Sequence, residues 1–211
     1  MNEKRVKICG ITSLDVAEHA INFNADYLGF IFYAKSPRNI FPKEAEPIIK
    51  EIKDRIATVA VTVDPSDSAI QKIKEMGFSM LQLHGSESTD RVEEIKNNSD
   101  LKIIKTFGIN QEKDFDTTKV YEDISDYFLF DSKPLEKDLP GGNAKSFEWK
   151  LLESYTSNKD FFLSGGLTVE NVETAVNSHY TNFFDVSSGV ESSPGVKDKQ
   201  KITDFINKIK K

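Results

Sequence analysis

The 211-residue chain has one cysteine, Cys9, and one tryptophan, Trp149. A single thiol cannot close an internal disulfide, so no cross-link shapes the fold. Histidine is scarce too: only His19, His84 and His179 occur, with no paired-ligand spacing and no Cys/His cluster for zinc. Basic residues are not in excess, with 28 Lys and Arg against 34 Asp and Glu and a net charge of -6. A mildly acidic chain without a basic stripe is not expected to bind nucleic acid or an anionic membrane. No apolar run approaches a membrane span. Met1 to Lys7 is polar and charged, unlike the apolar core of a signal peptide, so a cytoplasmic protein is the expectation. Neither a phosphate-binding Walker loop nor a GxGxxG fingerprint is present. The expectation is an enzyme or binding protein with no cofactor and no metal.

What the sequence does contain is a rhythm. Short apolar or β-rich runs recur at Val6 to Cys9, Tyr27 to Phe32, Thr58 to Val63, Met80 to His84, Ile103 to Phe107, Tyr127 to Asp131, Phe161 to Leu163 and Phe183 to Val186. Most are continuous rather than alternating, as in parallel strands buried on both faces. Amphipathic stretches separate them: Asp15 to Phe23, Lys43 to Ile56, Ser68 to Met76, Thr168 to Val176 and Asp198 to Ile209. Ser13, Ser66, Ser86 and Thr168 have the chemistry of helix N-caps. Asn110 to Ile124 is the weakest helical pattern, with few apolar positions, and His19 and His179 fall within helical stretches as structural or exposed residues.

Eight such units at about 26 residues each make a compact βα repeat. Alternation alone permits an open doubly wound sheet or a closed barrel, and a count of eight favours the α/β (β/α)8 barrel, or TIM barrel. No linker or composition shift divides the chain, so one domain is expected over residues 1–211. The stretch Ser132 to Ala144 reads as a long lid loop after the sixth strand.

Catalytic groups of such a barrel lie where strands end and βα loops begin. The first strand ends in Lys7-Ile8-Cys9-Gly10-Ile11. Cys9 there is either a base or nucleophile with an environment-lowered pKa, or a small buried hydrophobe. Asp131 closes the sixth strand, either as a buried general acid or as a cap on the following loop. Arg38, after Ser36-Pro37, is suited to gripping a carboxylate or to standing in solvent. His84 ends the fourth strand within Gln82-Leu83-His84-Gly85, touching ligand or satisfying its own loop. Small residues mark the loops after the last two strands, at Gly165-Gly166 and at Ser187-Ser188-Gly189. These are the loops where barrels commonly hold phosphate.

Taken in order, these segments resemble the phosphoribosylanthranilate isomerase family. The resemblance also covers Gly141-Gly142 with Phe147 and Trp149, and the run Asp185 to Glu191 followed by Pro194-Gly195-Val196-Lys197-Asp198. It implies an Amadori rearrangement in tryptophan biosynthesis, with Cys9 as general base and Asp131 as general acid. It further implies Arg38 on the anthranilate carboxylate, with Gly165, Gly166, Ser187, Ser188 and Gly189 around the phosphate and His84 near the substrate. The partner implied is a small phosphosugar-anthranilate substrate, handled by a monomer or a homodimer. Two segments depart from the family pattern: Asn143-Ala144 replaces Thr-Gly in the lid, and Val61-Thr62-Val63 stands where a phenylalanine is frequent. Other phosphosugar barrels share the phosphate loops, but an acid or lysine set would replace Cys9 at the first strand. A non-catalytic phosphosugar sensor would need neither Cys9 nor Asp131.

Overall fold

A computed structural model describes residues 3–132 and 147–211. Eight parallel strands close into a barrel in chain order: β1 (Arg5–Cys9), β2 (Tyr27–Phe32), β3 (Ala57–Thr62), β4 (Met80–Leu83), β5 (Lys102–Ile109), β6 (Tyr127–Ser132), β7 (Phe161–Leu163) and β8 (Phe183–Val186). β8 pairs with β1 through Lys7 opposite Asp185, which completes the ring.

Helices cover the outside: α1 (Leu14–Asn22), α2 (Pro42–Ile52), α3 (Asp67–Met76), α4 (Thr89–Asn98), α5 (Val172–Asn177) and α6 (Lys199–Lys210). After β8 the chain adds a small antiparallel hairpin, β9 (Glu191–Ser193) and β10 (Val196–Lys197). Each helix presents an apolar stripe to the sheet. In α2 the stripe is Ala45, Ile48, Ile49 and Ile52, all buried. Burying one such isoleucine contributes about 1.5–3 kcal/mol.

Strand alternation divides the core in two. One set of side chains, including Val6, Ile8, Phe128 and Phe130, packs beneath the helices. The other set, Cys9, Val59, Val61, Met80, Ile104, Leu129 and Phe162, fills the barrel interior. Tyr27, Tyr127, Phe162 and Phe183 stack edge-on and tilted at its lower end. Period two also places Lys7 with Cys9, and Gln82 with His84, facing inward.

Several sequence expectations shift. Ser86 does not cap a helix; Ser88 does, with its hydroxyl accepting from the Arg91 N–H. Glu87 turns inward to Lys105 instead and delays the start of α4. Thr168 opens a turn, and α5 begins only after Asn171, because the Asn171 amide binds back to the Gly166 carbonyl and the Thr168 N–H. His179 lies past the end of α5 with φ of 57°. The weak pattern at Asn110 to Ile124 is a 3-10 helix, Glu112–Tyr121, anchored by Phe115 and Thr118. A second 3-10 helix, Trp149–Ser154, precedes β7. α2 ends at Ile52, short of Ile56, which instead leads into β3. Apart from Ser132, the lid residues, including Asn143-Ala144, lie outside the described residues.

Candidate active site

The upper mouth of the barrel holds a cavity bounded by Cys9, Arg38, Gln82, His84, Asp131, Asp185 and Ser187, with Ile31, Val61 and Val63 as its apolar wall. Five of the sequence-derived candidates therefore converge on one space. Gly166, Ser188 and Gly189 border a neighbouring cavity together with Thr168, Glu170 and Lys201. Ser187 and Ser188, consecutive in the chain, face the two spaces. Gly189 abuts the Leu167 carbonyl, so the two small-residue loops touch. Gly165 borders neither cavity. It has φ of 78°, and a Cβ there would stand 2.6 Å from the Ser132 nitrogen and 2.8 Å from Asp131 Oδ1. A glycine is required because the β7 loop leans directly on the aspartate.

A chain of polar contacts crosses the floor of the cavity. Lys7, fully buried, donates from Nζ to Asp185 Oδ1 and to Gln82 Oε1, both at 2.8 Å. Burial works to lower the pKa of this lysine, but Asp185 and Cys9 beside it together outweigh burial and leave it raised. Ser164 donates to the other Asp185 oxygen at 3.0 Å. An ammonium has no acceptor, so Lys7 fixes which end of the Gln82 amide faces it. The Gln82 NH2 is thereby turned to His84 Nδ1, 3.0 Å away. Nδ1 then accepts, and the histidine proton sits on Nε2, 3.6 Å from Asp131 Oδ2. Burial and the nearby Lys7 charge push the His84 pKa down to about 4, so the ring is neutral at pH 7.

Asp131 itself is buried, and burial raises its pKa to about 7. The backbone N–H of Ser132, donating to Oδ1 at 2.7 Å, opposes the shift without cancelling it. A carboxyl that retains its proton near neutrality is equipped to deliver one. Cys9 is also buried. Burial raises its pKa most, while Lys7 and Lys197 pull it down, and the balance remains upward. The expectation of a thiol lowered by its surroundings is thus corrected: two ammonium groups soften the burial effect but do not reverse it.

Arg38 is buried and already paired. Nε and Nη2 donate to the two carboxylate oxygens of Glu191, each at 2.8 Å. Lys197 joins the same carboxylate at 2.7 Å. Burial raises the Glu191 pKa, but Arg38 and Lys197 outweigh it and hold the group below its ordinary value. No hydrogen bond from Nη1 occurs among the described residues, and Arg38 lines the cavity.

The model of "N-(5'phosphoribosyl)anthranilate (PRA) isomerase" matches residues 6–208. The chain belongs to this isomerase family. A relative from Sinorhizobium fredii, named N-(5'-phosphoribosyl)anthranilate isomerase, is 41% identical over 208 residues, covering 98% of this chain and 93% of its own. The crystal structure of phosphoribosyl anthranilate isomerase from Thermotoga maritima has a TM-score of 0.86 at 34% identity, covering 98% of both chains. A solved phosphoribosyl anthranilate isomerase in complex with reduced 1-(o-carboxyphenylamino)-1-deoxyribulose 5-phosphate has a TM-score of 0.83 at 32% identity, again over 98% of each chain. The barrel is therefore the isomerase family's fold, and every residue around the two cavities falls inside the matched span.

Four further residues at or beside the cavity were not singled out from the sequence. Asp185 and Gln82 were findable by alternation, since each precedes a mouth residue by two positions. Glu191 and Lys197 were not: the contact from Arg38 to Glu191 spans 153 positions and has no local pattern.

Proposed function

We propose that this chain converts N-(5-phosphoribosyl)anthranilate into 1-(2-carboxyphenylamino)-1-deoxyribulose 5-phosphate, with Asp131 as general acid and Cys9 as general base. The observation that carries this reading is a carboxyl poised at about 7 facing one cavity with a buried thiol, in a chain of the isomerase family.

The sugar phosphate group enters the space between Gly166, Ser188 and Gly189, with the Lys201 ammonium at its border. The anthranilate carboxylate meets the Nη1 edge of Arg38, and the ring lies against the apolar wall of Ile31, Val61 and Val63. Asp131 donates its proton to the furanose ring oxygen. The C1–O bond breaks as the anthranilate nitrogen supplies its lone pair, leaving an iminium. Once ionised, Asp131 accepts from the Ser132 N–H and faces the His84 Nε2–H, so its conjugate base is not left unpaired.

The iminium charge acidifies the C2–H. Cys9, as thiolate, removes that proton to give an enolamine. Transfer of a proton from the C2 hydroxyl to C1 then yields the ketone; the proton gained by Cys9 and the one lost by Asp131 balance through solvent, and the net change is an isomerisation with no electrons leaving the substrate. Lys7 lies on the same strand face as Cys9 and stabilises its thiolate. The working form pairs a protonated Asp131 with an ionised Cys9. Because the thiol titrates above the carboxyl, kcat/KM follows a bell, with its lower limb near 7 from Asp131 and its upper limb above the ordinary thiol range. A cytoplasmic setting in amino-acid biosynthesis suits a chain whose one thiol must stay reduced to work.

The direct test is conversion of N-(5-phosphoribosyl)anthranilate, generated in situ and followed by loss of anthranilate-type fluorescence. Turnover by the wild type that collapses in Cys9→Ala supports both the substrate and the base. A folded wild type without turnover rejects the reading.

A further inference from the structure

The hairpin after the last barrel strand carries two ionised side chains to which the reaction assigns no step. Glu191 opens β9 and Lys197 closes β10, and their side chains are 4% and 1% exposed. The glutamate is saturated. Oε1 accepts from Arg38 Nε at 2.8 Å and Lys197 Nζ at 2.7 Å, and Oε2 accepts from Arg38 Nη2 at 2.8 Å and the Gly195 N–H at 3.2 Å. Lys197 is saturated as well. Besides Glu191 it donates to the Ser187 carbonyl at 3.0 Å and to Ser187 Oγ at 3.2 Å. Burial holds the Lys197 pKa below its ordinary value despite Glu191, but three acceptors around one nitrogen call for the full ammonium. Ser187 in turn donates from Oγ to the Cys9 carbonyl at 3.0 Å.

The hairpin is also seated tightly on the loop that carries Arg38. Gly195 has φ of 84°, and a Cβ there would stand 2.5 Å from the Pro37 carbonyl. A hairpin that serves only as a connection to α6 has no need of a buried Glu–Lys pair at this place, and burying charge costs free energy unless something uses it.

The charge count indicates the use. Arg38 and Glu191 alone sum to zero, so the guanidinium charge would be spent inside the protein. Adding Lys197 restores a net of one positive charge. A guanidinium has two forked edges. Glu191 fills the Nε/Nη2 edge, and Arg38 lines the cavity. We propose that Glu191 and Lys197 are positioning residues that dedicate Arg38 to a single substrate carboxylate: Glu191 locks its orientation, and Lys197 cancels Glu191 so that Arg38 keeps its charge for the ligand. This inference rests on the proposed substrate, since it assigns the carboxylate of its anthranilate ring to Arg38.

The test uses the full-length enzyme, with wild-type turnover of N-(5-phosphoribosyl)anthranilate deciding the substrate reading first. Lys197→Met then raises KM for that substrate about tenfold, the effect of losing about 1.4 kcal/mol of ligand binding. The Glu191→Gln/Lys197→Met double variant, which returns the cluster to one positive charge, recovers most of the lost KM. With the carboxyl-free analogue made from aniline and ribose 5-phosphate, Lys197→Met leaves KM unchanged, while any loss in kcat that comes through Cys9 appears with both substrates. A double variant no better than the single, or an equal rise in KM for the analogue, overturns the proposal and leaves the pair a purely structural role. Where Lys197→Met fails to fold, Glu191→Gln alone decides: KM at or below wild type supports the charge count, and a tenfold rise contradicts it.

Discussion

Cys9 and Asp131 stand at the mouth ends of two barrel strands, both buried, and burial favours the uncharged form of each. The surroundings then treat them differently. At Asp131 the ring facing Oδ2 is a histidine held neutral, and the cationic Lys7 opposes burial only weakly. The protonated acid therefore survives to about 7, and that is the form the proposed reaction consumes. At Cys9 the required form is the charged one, and two ammonium groups, from Lys7 and Lys197, work against burial. The lesson is that burial sets the default at both positions, and the placement of charge decides how far each departs from it.

The largest expected effects come from removing the two groups. Asp131→Asn and Cys9→Ala are each expected to lower turnover at least about a hundredfold, the usual scale of acid–base contributions. Steady-state kinetics check this, and near-normal turnover in either variant removes that residue from its role. A smaller loss, about tenfold in kcat, is expected for Lys7→Met combined with Asp185→Asn, which removes a cation near the thiol without stranding a buried carboxylate. In that variant the alkylation of Cys9 should move to higher pH; an unmoved profile would show that Lys7 does not assist the thiol. Gln82→Met is expected to cost a few-fold in turnover, because His84 loses the amide that fixes its proton on Nε2. Its nitrogen-15 spectrum should then show both tautomers, and a retained single tautomer would count against the relay.

The smallest effect is on stability. The Asp131 pKa is raised on folding, so the folded state binds the proton more tightly than the unfolded chain does. Stability from this source is fully present below the unfolded aspartate value and declines as pH rises to about 7. Asp131→Asn should therefore gain melting temperature relative to wild type at pH 8 and gain less at pH 5. An advantage that does not grow with pH would contradict the raised pKa.

Much of the barrel was legible in the sequence, because continuous apolar runs and helical stripes each report which face is buried. Cys9, Arg38, His84 and Asp131 were legible as polar residues at or just beyond strand ends, a position that needs only the period and the fold. The capping residue of α4 was misplaced because Glu87, unremarkable in sequence, turns inward to Lys105. Thr168 was misread because Asn171 offers a competing side-chain bond. The charges that tune the site were harder still. Lys7 could be placed on the Cys9 face by alternation, but the sign of the thiol's shift depends on how much burial opposes it. Glu191 and Lys197 reach Arg38 and the Ser187 loop only after the barrel has closed, and no local pattern encodes that.

The central claim, that Asp131 remains protonated up to neutrality while its neighbours stay as described, can be read without turnover. Isotope-edited infrared titration of the aspartate carboxyls in the wild type, with Asp131→Asn identifying the band, reports the group directly. The protonated carboxyl band should disappear with a midpoint near 7. A midpoint near the ordinary aspartate value of about 4 would contradict the raised pKa on which the assignment of Asp131 as the acid rests.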